Sequence, residues 1–341
     1  MRLLLNYFES AQAAWHASRT DLLAAGLDPK STAALIETRH KIDLDAEMAR
    51  IEAARAVVLT WESEQYPERL RVLDDAPPVL YMLGELTDSD SWAVAVVGTR
   101  RATSYGREAT TRLVAGLVEN RVTVVSGLAK GIDTTAQTAA LEAGGRTLAV
   151  LGSGVDVIYP PENRPLAWRI LKEGAGAILS EYPPGTEPEP LNFPPRNRII
   201  SGLALGVVVV EADLKSGALI TVKFALEQGR EVFAVPGPIT SRMSEGTNGL
   251  IKQGAKCVTT VEDILEELNI QSVSEHVHAA RELPADPVER VLLELLRESS
   301  QHIDELTNKS GLPASTVSAV LTMMELKGWV QHLGQMQYAA R

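Results

Sequence analysis

The chain has 341 residues, 45% of them hydrophobic and 5% aromatic, a composition that predicts a soluble globular protein of two or three domains with a sizeable core. One cysteine, Cys257, and six scattered histidines exclude an internal disulfide and a thiolate metal site, so neither a metal nor a cofactor is expected. No apolar run reaches membrane-spanning length, and Asn6 and Glu9 interrupt the one at the start, which predicts a cytoplasmic protein with no membrane partner.

The net charge of −11 argues against a polyanionic partner only until it is counted by region. Residues 95 to 260 carry 18 Lys and Arg against 15 Asp and Glu, whereas residues 1 to 94 carry 9 against 16. Positive charge is therefore gathered in the middle of the chain, and local potential governs contact with phosphate.

In chain order, residues 1 to about 60 show helical periodicity broken at Gly26-Leu27-Asp28-Pro29, which predicts a small helical domain over 1–62. A connector follows with Tyr66-Pro67 and Pro77-Pro78-Val79, the proline pair favouring an extended strand or linker. From Ala93 short apolar runs begin near Ala93, Thr123, Thr147, Ala177, Val207, Glu231 and Lys256, alternating with amphipathic stretches. Nearly continuous runs such as Val207-Val208-Val209-Val210 mark parallel strands covered on both faces. The pattern predicts an α/β domain over 63–280 with a doubly wound, Rossmann-like sheet. After a loop containing Pro284 and Pro287, helical stretches near Val288 to Glu298, Ile303 to Lys309 and Ala314 to Lys327 precede an alternating hairpin around Gly334, predicting a winged helix-turn-helix over 281–341. The third of these helices has Lys327 as its one basic residue, so protein contact or a structural duty is favoured over reading DNA.

Ligands of such a sheet lie beyond the carboxyl ends of its strands, which singles out the residues after each run. These include Gly98-Thr99-Arg100-Arg101, where glycine admits a close ligand and Arg100 supplies charge. The Ser126-Gly127 turn could cradle a phosphate on backbone N–H groups, with Lys130 as a second contact. Gly152-Ser153-Gly154 imitates a dinucleotide fingerprint but lacks its third glycine, which disfavours a nicotinamide cofactor. Lys215 stands in a further glycine-containing loop. The most informative segment is Phe193-Pro194-Pro195-Arg196-Asn197-Arg198: a proline pair fixing an extended approach, then two guanidiniums and an amide at a helix start, a combination that suits phosphate. The alternative is that its arginines are held by Glu181 or Glu211. No phosphate loop, nucleophile elbow or spaced carboxylate pair with a histidine is present, so no catalytic residue is assigned.

Assembled, these motifs resemble the DNA-processing protein A (DprA, also called Smf) family of bacteria. The resemblance rests on Val97-Gly98-Thr99-Arg100, Ser126 through Asp133, Tyr159-Pro160, Phe193 through Leu203, Ser216-Gly217-Ala218-Leu219-Ile220-Thr221 and Phe233-Ala234-Val235-Pro236-Gly237. It implies an extended Rossmann domain that forms a homodimer, holds single-stranded DNA and hands it to the RecA recombinase during natural transformation. It also implies an N-terminal domain of sterile-alpha-motif or helix-hairpin-helix type and a C-terminal winged helix. The DNA contacts it implies are Gly98, Thr99, Arg100, Ser126, Gly127, Lys130, Arg196, Asn197 and Arg198; Gly152 and Lys215 join them as residues of the strand-end loops, and Lys130 and Lys215 rest on charge and loop position more than on the motif. Two departures stand out: Pro161-Glu162 occupies the place where relatives carry lysine after Tyr-Pro, and the helical domain is shorter than the family implies.

With few aromatics, Phe193 and Tyr159 foremost, backbone contact should dominate base stacking and sequence preference should be slight. Two other readings compete. A nucleotide phosphoribohydrolase of the lysine-decarboxylase-like Rossmann group would share the fold but needs a Pro-Gly-Gly-x-Gly-Thr-x-x-Glu pattern absent here. A ligand-sensing transcription regulator would need the third helix of the winged domain, poor in positive charge, to read duplex DNA.

Overall fold

The computed structural model describes residues 2–8, 10–270, 287–298, 300–326, 329–334 and 336–340. The chain forms two compact units, Met1–Asp263 and Ile264–Arg341. The expected boundary at 280/281, Pro284, Lys327 and Gly328 lie outside the described residues.

The first unit begins with short helices, Arg2–Phe8, Ala11–His16, Arg19–Ala24, Pro29–Lys41 and Leu44–Ala53. The Asp28-Pro29 signal acts as read: the Asp28 carboxylate accepts the N–H groups of Lys30 and Ser31, both at 3.0 Å, and Pro29 opens the helix. Leu4, Ala14, Leu22 and Ala25 form a small core for this bundle.

A nine-stranded sheet follows, built from β1 (Val57–Thr60), β2 (Val79–Gly84), β3 (Ala93–Val97), β4 (Thr123–Ser126), β5 (Thr147–Leu151), β6 (Gly176–Ser180), β7 (Gly206–Val209), β8 (Glu231–Ala234) and β9 (Lys256–Cys257). Their order is β1-β2-β6-β5-β4-β3-β7-β8-β9. The seven strands from β3 onward pair in parallel, while β1 and β2 add an antiparallel edge against β6. Strands β3 to β7 are buried along their whole lengths, as their unbroken apolar runs require. One correction to the sequence reading arises at the edge: Val57–Thr60 is a strand rather than the end of a helical segment, while the stretch after Pro77-Pro78 takes the strand alternative of the two expected there. β-branched Val57 and Val58 suit an edge strand better than a helix terminus.

The chain leaves β3 toward β4, β5 and β6, then returns to add β7, β8 and β9 on the other side of β3. The order therefore reverses between β3 and β7, and the crevice outside their carboxyl ends is the place where a ligand of such a sheet binds.

The second unit contains helices Pro287–Glu298, Ile303–Ser310 and Ala314–Leu326 and a three-stranded sheet of β10 (Gln301–His302), β11 (Val330–Gly334) and β12 (Gln337–Ala340) in the order β10-β12-β11. This is the expected winged helix, with β10 as a strand that the sequence pattern is too short to reveal. Leu292, Leu306, Val317, Leu321 and Trp329 fill its core. The exposed face of the third helix presents Ser315, Ser318, Thr322 and Glu325 and no cation among the described residues.

Candidate nucleic-acid interface

A cavity of about 730 Å³ opens at the carboxyl edge where β3 meets β7. The loops after the two strands are tied together there, the Thr99 N–H donating to the Glu211 carbonyl oxygen at 2.7 Å. Gly98 is needed at this junction, because a Cβ would stand 2.6 Å from Ile132 and 2.9 Å from the Glu211 carbonyl oxygen. Arg100, Arg101, Lys215 and Arg242 all line the cavity, all are exposed, and none forms an ion pair among the described residues. Two acids, Asp133 and Asp213, also line it; the Asp213 carboxylate is engaged by the Lys215 backbone N–H at 2.7 Å, and that of Asp133 by the N–H groups of Gly127 and Ala129.

Aromatic surface borders the cations. The Arg100 guanidinium lies 5.8 Å from the Phe193 ring centroid, and the Tyr159 and Phe193 rings are 5.6 Å apart at 36°. Gly152, expected as a contact, does not line the cavity; it makes room for Phe193, whose ring would meet a Cβ at 2.9 Å.

The turn at Ser126-Gly127 differs from expectation in a specific way. The Ser126 hydroxyl is buried and donates to the Val96 carbonyl oxygen at 2.7 Å. The N–H groups of Gly127 and Ala129, expected to cradle a phosphate, donate instead to the Asp133 carboxylate at 3.1 and 3.4 Å. An internal carboxylate thus occupies the anion seat of this turn. Burial pushes the Asp133 carboxyl up, opposed chiefly by the nearby Arg196 charge.

The helix Phe193–Leu203 starts at Phe193 itself, whose φ of −72° and ψ of −42° are helical. Pro194 and Pro195 occupy its first turn rather than an extended approach, a position where their missing N–H groups cost nothing. The first turn then divides the Arg-Asn-Arg triplet. Arg196 is only 5% exposed and donates to the carbonyl oxygens of Gly127, at 2.9 Å, and Val150. Burial brings its guanidinium down to about 10, with Asp133 opposing the shift. Asn197 lines the cavity and accepts from the Arg196 Nε at 3.2 Å. Arg198 points elsewhere: it donates to Glu181 at 2.6 Å and lies 3.6 Å from Asp75. The salt-bridge alternative therefore describes Arg198 with Glu181, whereas Glu211 holds no arginine and accepts the N–H and hydroxyl of Thr103 at 2.9 and 2.5 Å.

Lys130 stands outside the cavity lining, bridged to Glu162 at 2.7 Å with both side chains exposed. Of the expected contacts, Gly98, Thr99, Arg100, Arg196, Asn197 and Lys215 converge on the cavity; Ser126, Gly127, Lys130, Gly152 and Arg198 do not line it. Arg242, missed in the sequence, is brought there by the loop after β8, and the same rule of inspecting the residues beyond each strand extends to it. Among the described residues no cluster of His, Cys, Asp and Glu could hold a metal, and no helix is long and apolar enough to cross a membrane.

A Rossmann-type sheet with a cation-lined crevice at its switch point, followed in the chain by a winged helix, defines the architectural class of this protein. Residues 57–269 match the model of the DNA recombination-mediator protein A family and residues 277–336 that of the DprA winged helix domain. The chain belongs to the DNA recombination-mediator protein A family, the DNA-processing proteins called DprA or Smf. It is 40% identical to protein Smf of Escherichia coli over 84% of this chain and 78% of the relative. It is 34% identical to protein Smf of Synechocystis over all of this chain and 94% of the other. Among solved structures, DprA of Streptococcus pneumoniae superposes with a TM-score of 0.69 at 40% identity, covering 78% of this chain and 91% of that one. DprA of Helicobacter pylori, described for its single-stranded DNA binding mode, gives 0.57 at 31% identity over 64% of this chain and 97% of that one.

Proposed function

We propose that this protein binds single-stranded DNA, without catalysing a reaction on it, in the crevice at the carboxyl edge of β3 and β7. The phosphates of the strand lie against Arg100, Arg101, Lys215 and Arg242, and Phe193 and Tyr159 receive bases. In this reading the crevice admits a single strand and excludes a duplex. The observation that carries this reading is the convergence of four cations without ion-pair partners among the described residues on one cavity beside two aromatic rings. The single-stranded DNA of the Helicobacter pylori relative supports it from outside the chain.

In this reading the protein works in the cytoplasm as a homodimer, protects incoming single strands and loads the RecA recombinase onto them in natural transformation and recombination. These roles rest on family membership. The winged helix, whose exposed third-helix face carries no cation among the described residues, serves protein contact or structure rather than base readout.

The deciding experiment is fluorescence anisotropy with labelled oligothymidylate and a matching duplex across a salt series, for wild type and Arg100→Ala. Tight, salt-sensitive binding confined to the single strand, with the slope lowered by about one unit in the variant, is the expected result. Equal binding of duplex and single strand, or an unchanged variant, rejects the reading. RecA loading is checked separately, by whether the protein speeds RecA filament formation on single strands covered by a single-strand-binding protein.

A further inference from the structure

Beyond Tyr159 a short turn, Pro161–Asn163, leads into the helix Arg164–Lys172. Leu166, Ala167 and Ile170 bury one side of this helix against the sheet. The opposite side carries Trp168, 65% exposed, although the other four tryptophans of the chain are buried or half-buried. Arg164 and Lys172 flank it at four-residue spacing, so the three share one face. Both cations are exposed and form no ion pair among the described residues. The acids on either side are already engaged, Glu162 by Lys130 at 2.7 Å and Glu173 by Arg169 at 3.0 Å.

We propose that this face is a second contact for the same single strand, with Trp168 as a base-stacking platform and Arg164 and Lys172 as phosphate contacts. The inference rests on the single-stranded DNA reading above and extends the path of the strand out of the crevice. Three features choose nucleic acid as the occupant. An aromatic ring between two cations matches a base between two phosphates. The cations span about 12 Å along the helix axis, enough for a few nucleotides. The helix also starts five residues after Tyr159, so its Arg164 end continues the aromatic edge of the crevice.

The test compares oligothymidylates of about 6 nucleotides, filling the crevice alone, and about 20 nucleotides, long enough to reach the helix. Trp168→Ala is expected to weaken the long strand roughly tenfold and leave the short one unchanged, with Trp168→Phe restoring part of the loss. The Arg164→Ala, Lys172→Ala double variant should lower the salt slope for the long strand alone, by about two units. Unchanged long-strand affinity in Trp168→Ala overturns the proposal, as does an equal loss for both lengths. A change in self-association with DNA affinity intact would make the face a protein contact and also overturn it. Failure of the underlying reading shows differently: wild type binds neither length, or Arg100→Ala has no effect on the short strand.

Discussion

The Arg196 guanidinium donates to the carbonyl oxygen of Gly127 at 2.9 Å, across 69 residues of chain, and so clamps the loop after β4 to the first turn of a distant helix. Asp133 holds the N–H of the same glycine from the other side, at 3.1 Å. No side chain fits at residue 127, because a Cβ would stand 2.7 Å from Arg196. The floor of the crevice is thus braced by a buried guanidinium and a buried carboxylate that both hold the Gly127 backbone, rather than left open to phosphate.

Arg196→Ala is therefore expected to act first on stability. It removes the nearby charge that offsets burial of Asp133 and two hydrogen bonds to the carbonyl oxygens of Gly127 and Val150, at a cost of about 2–3 kcal/mol. Urea unfolding of the purified variant checks this, and a midpoint equal to that of wild type would mean that the Arg196 hydrogen bonds contribute nothing to stability.

Arg198→Ala should behave differently from its neighbour. Its side chain is 13% exposed and turned toward Glu181 and Asp75, so we expect a loss of about 1–2 kcal/mol of stability and an unchanged salt slope for single-stranded DNA. Parallel denaturation and anisotropy titrations separate the two effects.

Arg242→Ala tests a contact supplied by the tertiary fold. Arg242 is exposed and lines the crevice, so its removal should leave thermal stability within about 0.5 kcal/mol of wild type. The salt slope for oligothymidylate should fall by about one unit.

Glu162→Gln should tighten single-stranded DNA binding and steepen its salt dependence, because Lys130 is released to a phosphate. The hydrogen bond from Lys130 holds the Glu162 carboxyl below the ordinary glutamate value of 4.5. A lowered folded-state pKa means that the pair is intact above 4.5 and opens only as pH falls through the depressed value. The ratio of variant to wild-type affinity should accordingly stay flat across neutral pH and shrink only under acid conditions, which a pH series of titrations measures.

Gly106→Ala reverses a familiar rule. Alanine in a helix interior normally gains about 1 kcal/mol over glycine. Within the helix Ser104–Glu119, however, Gly106 packs on the buried Glu211 carboxylate, and a Cβ would overlap it. The carboxylate also accepts the N–H of Thr103, the residue capping that helix. A net loss of about 1–3 kcal/mol is expected in urea unfolding.

Strands β3 to β7 were legible because each is a short, mostly apolar run buried on both faces, a pattern that needs no partner to be read. Val57–Thr60 was not, since four residues at a sheet edge carry too little periodicity to separate them from the preceding helices. Gln301–His302 has only two residues and exists as a strand through its pairing with β12. Local sequence likewise marked the Asp28-Pro29 cap, the winged-helix elements and the loops at the strand ends, because capping, turn chemistry and strand periodicity act over a few neighbouring residues.

What local sequence could not decide is which way each charged side chain in those loops turns. Arg196 and Arg198 are two residues apart on one helix, yet one is buried beneath the crevice and the other is paired with Glu181 behind it. Arg242 enters the site from a loop 142 residues after Arg100. Composition and periodicity determined the sheet and hence the edge where a ligand must lie. Only the folded chain decided which cations remain exposed there, because an arginine's role depends on the acids and carbonyl oxygens that distant strands bring within reach.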